Sequence, residues 1–221
     1  MKKILNLFAL SAIAIVVTMG SCKKKESTDN GLSSDINNII SQDIINDLQG
    51  RGMIINKGNT PPSISGVFLV SPFTLQNTYD GDLWTVGKVI SDYKYRFYDQ
   101  SGTNIKMDYK GVAVADNAVG MGSFLSGSDT KFTLFAQSTG NASGINYKNV
   151  SIISGEFTAS GIKNFQYAFV LTQKDGDEAN AVLMPVGKSR IWRDGDGLAV
   201  PSSSFKMISS NGVPAGLMMV K

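Results

Sequence analysis

The residues that could carry chemistry are few, and two common ones are missing. The chain of 221 residues has no histidine and a single cysteine, Cys22. That removes Ser-His-Asp and Cys-His nucleophilic catalysis, and with them the usual zinc ligand sets. Carboxylate chemistry survives, because a glycosidase needs only two acids about 5–9 Å apart. Glu156 and Glu178 are the glutamates beyond Glu26, and most aspartates lie in turn-like stretches where the side chain serves its own backbone. No acid pair stands out. Ser91–Lys94 and Ser160–Lys163 have the spacing of serine–lysine catalysis, but both fall in strand-like sequence, whereas that motif needs a helix. The expectation is a protein that is not an enzyme.

Ligand-holding motifs are similarly sparse. In Arg193-Asp194-Gly195-Asp196-Gly197 the two aspartates match the first places of a calcium loop. Leu198 then stands where a third acid belongs, and Phe205 where the closing glutamate belongs. A tight turn is the better reading, as it is for Lys174-Asp175-Gly176-Asp177-Glu178. No metal site and no cofactor are implied. Gly120-Met121-Gly122-Ser123 lacks the third glycine and following helix of a phosphate loop and reads as a strand bend. Tyr93-Lys94-Tyr95-Arg96-Phe97-Tyr98 interleaves aromatic and basic residues, as single-strand nucleic-acid binders do. On a strand, alternation sends Tyr93, Tyr95 and Phe97 to one face and Lys94 and Arg96 to the other, so a stacking platform with phosphate contacts is not expected. Trp84 and Trp192 are the two tryptophans, each a candidate for stacking on a sugar ring or for the core.

The elements that position these residues are mostly strands. Residues 35–49, DINNIISQDIINDLQ, carry Ile36, Ile40, Ile44 and Leu48 at four-residue spacing, which predicts one helix with an apolar stripe. Ser33 or Ser34 can cap it, and Gly50 and Gly52 end it. From Pro61-Pro62 onward the pattern is strand-like. The clearest runs are Val89–Gln100 and Ile162–Gln173, the latter with Phe165, Tyr167, Phe169 and Leu171 on one face. Further strands are expected at Ser65–Ser71, Ile105–Ala115, Val119–Ser126, Lys131–Gln137, Tyr147–Ala159, Val182–Arg193 and Leu217–Val220. Short polar turns between them imply antiparallel pairing. The expected fold is mainly β: an antiparallel up-and-down barrel of lipocalin-like shape with one short N-terminal helix, the alternative being a β-sandwich. A membrane-spanning barrel is disfavoured by Lys106, Asp108 and Lys110 on a single strand.

Cys22 belongs to the front of the chain. Lys2 and Lys3 precede a largely apolar stretch, Ile4–Thr18, too short for a comfortable span of about 20 residues but suited to a secretory signal. Met19-Gly20-Ser21-Cys22 follows and resembles a bacterial lipoprotein signal, with cleavage after residue 21 and acylation of Cys22. An ordinary secretory signal with an incidental cysteine is the competing reading. Residues 22–34, CKKKESTDNGLSS, read as a flexible tether, and 35–221 as a single β-rich domain. Without Lys2 and Lys3 the chain carries 19 basic and 18 acidic side chains, so nothing in its charge argues for nucleic acid as a partner.

The leader, the Ser-Cys-Lys-Lys-Lys tether, the early helix and Asn59-Thr60-Pro61-Pro62-Ser63-Ile64-Ser65-Gly66 together resemble uncharacterised lipoproteins of the Bacteroidota. That resemblance implies an outer-membrane lipid anchor, with the periplasmic leaflet favoured over the cell surface, and a β-rich head. The residues add an expectation of their own. Tyr93, Tyr95, Phe97, Phe165, Tyr167 and Phe169 would line the mouth of a barrel and hold a small apolar or amphipathic ligand. The alternatives are a structural envelope protein with a protein partner, and a glycan-binding accessory that uses Trp84 and Trp192.

Overall fold

The computed structural model describes residues 30–113, 117–142 and 144–205. The leader, Cys22 and the strand expected at Leu217–Val220 lie outside the described residues. Within them the protein is mainly β and antiparallel. Two short helices, α1 (Ser34–Asn37) and α2 (Gln42–Gly50), precede twelve strands. These are β1 (Asn59–Thr60), β2 (Gly66–Val70), β3 (Phe73–Asn77), β4 (Val89–Ile90), β5 (Tyr93–Ser101), β6 (Asn104–Gly111), β7 (Asn117–Ser128), β8 (Lys131–Ala142), β9 (Ile145–Thr158), β10 (Gly161–Asp175), β11 (Ser189–Asp194) and β12 (Leu198–Pro201).

Pairing runs β12-β2-β5-β6-β7-β8-β9-β10, and β10 pairs again with β12, which makes a ring of eight strands. The closing contact is short: Ile162 faces Ala199, and Lys163 faces Leu198. Beyond it β10 changes partner, and Gln166–Val170 pair with β11, which carries the sheet on to β3 and β4. The ring therefore forks where β11 bends into β12 through residues 195–197.

Alternation fills the ring. The side chains of Tyr93, Tyr95 and Phe97 are buried, while Lys94 and Arg96 turn outward. Phe165, Tyr167, Phe169 and Leu171 join the same core. A second apolar layer lies outside β8–β11, where Phe135, Val150, Ile152, Ala168, Val170 and Ile191 meet Leu32, Ile36, Ile40, Ile45 and Leu48 of the helical segment.

Three expectations change. The helix over 35–49 is two helices, because the Ser41 hydroxyl accepts the Ile44 N–H at 3.4 Å and caps a new start. The tether ends before Ser34, since Leu32 is fully buried under the helices. The strand expected over 182–193 starts only at Ser189, because Leu183 and Met184 turn inward and join the ring core instead.

Candidate functional site

The six aromatic residues expected to bind a ligand are brought together, but as core. Each is no more than 2% exposed. Their rings meet one another: Tyr95 lies 5.1 Å from Phe165 and 5.8 Å from Tyr167, centroid to centroid. They fill the space that a ligand would occupy. Trp192 is fully buried, 5.4 Å from Phe73, and so offers no open face to a sugar. Trp84 stands edge-on to Trp192 at 5.7 Å, with the Lys88 ammonium 3.5 Å from its ring centroid and the Arg190 guanidinium 4.3 Å away.

Two hairpin loops close this end of the ring, and they share one design. Asp80-Gly81-Asp82 and Asp175-Gly176-Asp177 open the loops, and Val86-Gly87-Lys88 and Val186-Gly187-Lys188 end them. In the first, Gly87 N–H donates to Leu75 O at 2.8 Å and Leu75 N–H to Lys88 O at 2.8 Å. In the second, Gly187 N–H donates to Leu171 O at 2.7 Å and Leu171 N–H to Lys188 O at 3.2 Å. Each turn places glycine third, at φ 90° and 80°, a backbone state that other residues resist.

The second aspartate of each loop is its anchor. Asp82 accepts Arg190 Nε and Nη2, both at 2.7 Å, and the side chains of both residues are fully buried. Burial works against the Asp82 charge, but hydrogen bonds from Arg190 and Thr78 and the Arg190 charge outweigh it and hold the carboxyl below its usual range. Asp177 accepts the Ala181, Val182 and Leu183 N–H groups and Lys174 Nζ. Burial again opposes the charge, and Lys174 with those amides again prevails, so this carboxyl is held well below the carboxylate range.

The turn reading of 194–197 is what forms. Asp196 N–H donates to Asp194 Oδ1 at 3.2 Å, and Leu198 N–H to Asp196 Oδ1 at 3.0 Å. Asp194 also accepts Ser71 N–H at 3.1 Å. Burial, followed by the hydrogen bond and charge of Asp196, pushes the Asp194 carboxyl up to about 6. Among the described residues no group of three or more Cys, Asp or Glu side chains could hold a metal ion, and no helix is long and apolar enough to cross a membrane.

A half-open cleft lies outside the ring, at the fork. It has a volume of about 440 Å³ and is bordered by Ile54, Thr74, Val86, Asn164, Arg193 and Asp194. Its rim is the strap that follows α2. Gln166 pins the strap, accepting Ile54 N–H at 2.8 Å and donating to Gly52 O at 2.8 Å, and Asn56 N–H donates to Thr133 Oγ1 at 2.7 Å. Met53 and Ile55 face inward and Ile54 faces out. Ile54, Asn164 and Arg193 were not legible as a site, because only the partner change of β10 brings them together. The paired D-G-D and V-G-K triplets were readable from the chain alone. No family model matches the chain, and no curated protein or solved structure matches it.

Proposed function

We propose that this protein is a lipid-anchored, non-catalytic binding module of the bacterial outer membrane, attached through Cys22. It takes a small amphipathic ligand on the outside of its sheet. The ring is read as a closed up-and-down barrel of lipocalin-like shape whose interior serves as core. One observation carries the choice of site: the aromatic row fills the ring, whereas the outer cleft combines exposed aliphatic and charged side chains in a volume suited to a small ligand. The lipid anchor rests on the Met19–Cys22 stretch and its apolar leader.

Native mass spectrometry of the protein purified from its host tests both halves. The expected result is a diacylated Cys22 at the amino terminus and one retained small molecule. An unmodified Cys22 with the leader still attached removes the anchor, and a chain that is always empty removes the ligand. A second reading, docking to an envelope protein, is favoured by the aliphatic tips Leu83, Val86, Val89 and Val186, all exposed on the two loops or beside them. Crosslinking in cells checks it, and repeated recovery of no partner removes it.

A further inference from the structure

We propose that the outer cleft at the fork takes an anionic amphipath, with its acid group on Arg193 and its apolar chain along Ile54 and Val86. This rests on the binding-module reading and names the ligand class for that same site. The sheet is irregular on both sides of the cleft. Register shifts interrupt β10 between Lys163 and Gln166, and β11 between Ile191 and Trp192. Such bulges re-aim side chains. In β10 the result is Asn164, held at φ 52° with its N–H on Gly197 O at 2.9 Å and its side chain exposed. The Asn164 side-chain amide makes no hydrogen bond to another described residue.

In β11 the shift leaves Arg193 pointing outward between neutral neighbours, Gln166 on one side and Thr74 on the other. Arg193 forms no ion pair among the described residues. A guanidinium so placed keeps its donor fork for a carboxylate or phosphate. Asp194 borders the same cleft but does not compete for Arg193, because its oxygens face the Ser71 and Asp196 amides.

The apolar half is as specific. Ile54 is 51% exposed and Val86 64%, and both line the cleft. Ile54 cannot turn in, since its strap is pinned at residues 54 and 56 and its neighbours Met53 and Ile55 already occupy the inner face. A smaller hollow of about 150 Å³ continues past Ile54 and Asn164 and ends at Lys131 and Glu156. Ile54 is the one apolar side chain lining that hollow, so the exposed apolar wall is chiefly Ile54 and Val86, which fits a single alkyl chain. A free carboxylate and an anionic lipid share this chemistry.

The test uses the chain carrying Cys22→Ser, which lacks acyl groups, in water without detergent. Calorimetric titration and amide NMR shifts are read with decanoate, with decyltrimethylammonium, and with phosphatidylglycerol vesicles. The expected result is decanoate binding that shifts the Ile54, Asn164 and Arg193 amides and is at least about tenfold tighter than binding of the cation. Arg193→Met weakens it about tenfold. Ile54→Ser weakens it as well, and thermal unfolding of Arg193→Met stays unchanged. Vesicle binding lost in Arg193→Met, without decanoate binding, assigns the same site to a lipid headgroup. Equal binding of both decyl compounds, or decanoate binding indifferent to Arg193→Met, overturns the anion assignment while the binding module stands. If no probe moves the cleft amides and the host-purified chain is empty, both fall.

Discussion

Replacing Asp82 with asparagine, or Arg190 with methionine, is expected to be among the most damaging single changes in the protein. The pair is fully buried and bidentate, with both contacts at 2.7 Å. It ties the first hairpin loop to β11. Removing either partner leaves the other charge buried without its counter-ion, which costs about 3–5 kcal/mol. For a domain of this size that lowers Tm by roughly 6–20 °C. The double variant, Asp82→Asn with Arg190→Met, leaves no orphaned charge and should recover about 2 kcal/mol relative to the summed single losses. Urea unfolding followed by tryptophan fluorescence suits the measurement, because Trp84 packs on Arg190 and Trp192 packs on Trp84. The sign of the pH effect is fixed as well. Asp82 has a depressed folded-state pKa, so its contribution is present above the unfolded carboxylate pKa of about 4 and disappears as pH falls through the folded value. The gap between wild type and Asp82→Asn therefore narrows in acid. Single variants within about 1 kcal/mol of wild type, or losses that simply add in the double variant, would refute the latch.

Asp194 has the opposite sign. Its carboxyl is raised to about 6, so its extra stability is complete below about pH 4 and is lost as pH rises through 6, on the order of 2 kcal/mol in all. Asp194→Asn is expected to flatten that slope in urea titrations between pH 4 and 7, and an unaltered profile would discount the shift. Gly87→Ala and Gly187→Ala should each destabilise by about 1 kcal/mol, as read by thermal denaturation. A Cβ at either position meets nothing within 4 Å, so the whole penalty comes from the positive φ, and a neutral result at both would remove the turn argument. Gln166→Leu leaves the Ile54 amide without its acceptor, and hydrogen exchange is expected to quicken across 52–56 while the β8–β9 amides hold. Uniform exchange across both regions would mean that the strap is held by something else.

Where alternation was strong, the sequence was enough to place residues. Tyr93, Tyr95 and Phe97 interleaved with Lys94 and Arg96 leave a single way to orient β5, and Phe165 to Leu171 do the same for β10. Elsewhere the local signal was too thin. Phe73–Asn77 offers only two apolar residues between a proline and a polar loop, and Leu198–Pro201 is four residues after a turn, so β3 and β12 passed unread. Val182-Leu183-Met184 looks like a strand start, but the run plugs the ring end. Met53-Ile54-Ile55 is uniformly apolar, and nothing local says that the middle residue is the exposed one. That choice is made by Gln166, 112 residues away.

The same long-range contacts explain why a ligand would favour the outside. An eight-stranded ring leaves an interior just wide enough to fill with side chains, and here large aromatics fill it. Access from the loop end would require opening the Asp82–Arg190 pair. At about 3 kcal/mol that opening lowers apparent affinity roughly a hundredfold before any ligand contact is made. The cleft at the fork carries no such penalty, because Arg193 and the Asn164 side chain, which have no side-chain partner among the described residues, stand ready beside the exposed Ile54 and Val86 in the folded state. A sheet that closes on a filled core leaves recognition to its irregularities. In this protein one of these is the point where β10 exchanges β12 for β11.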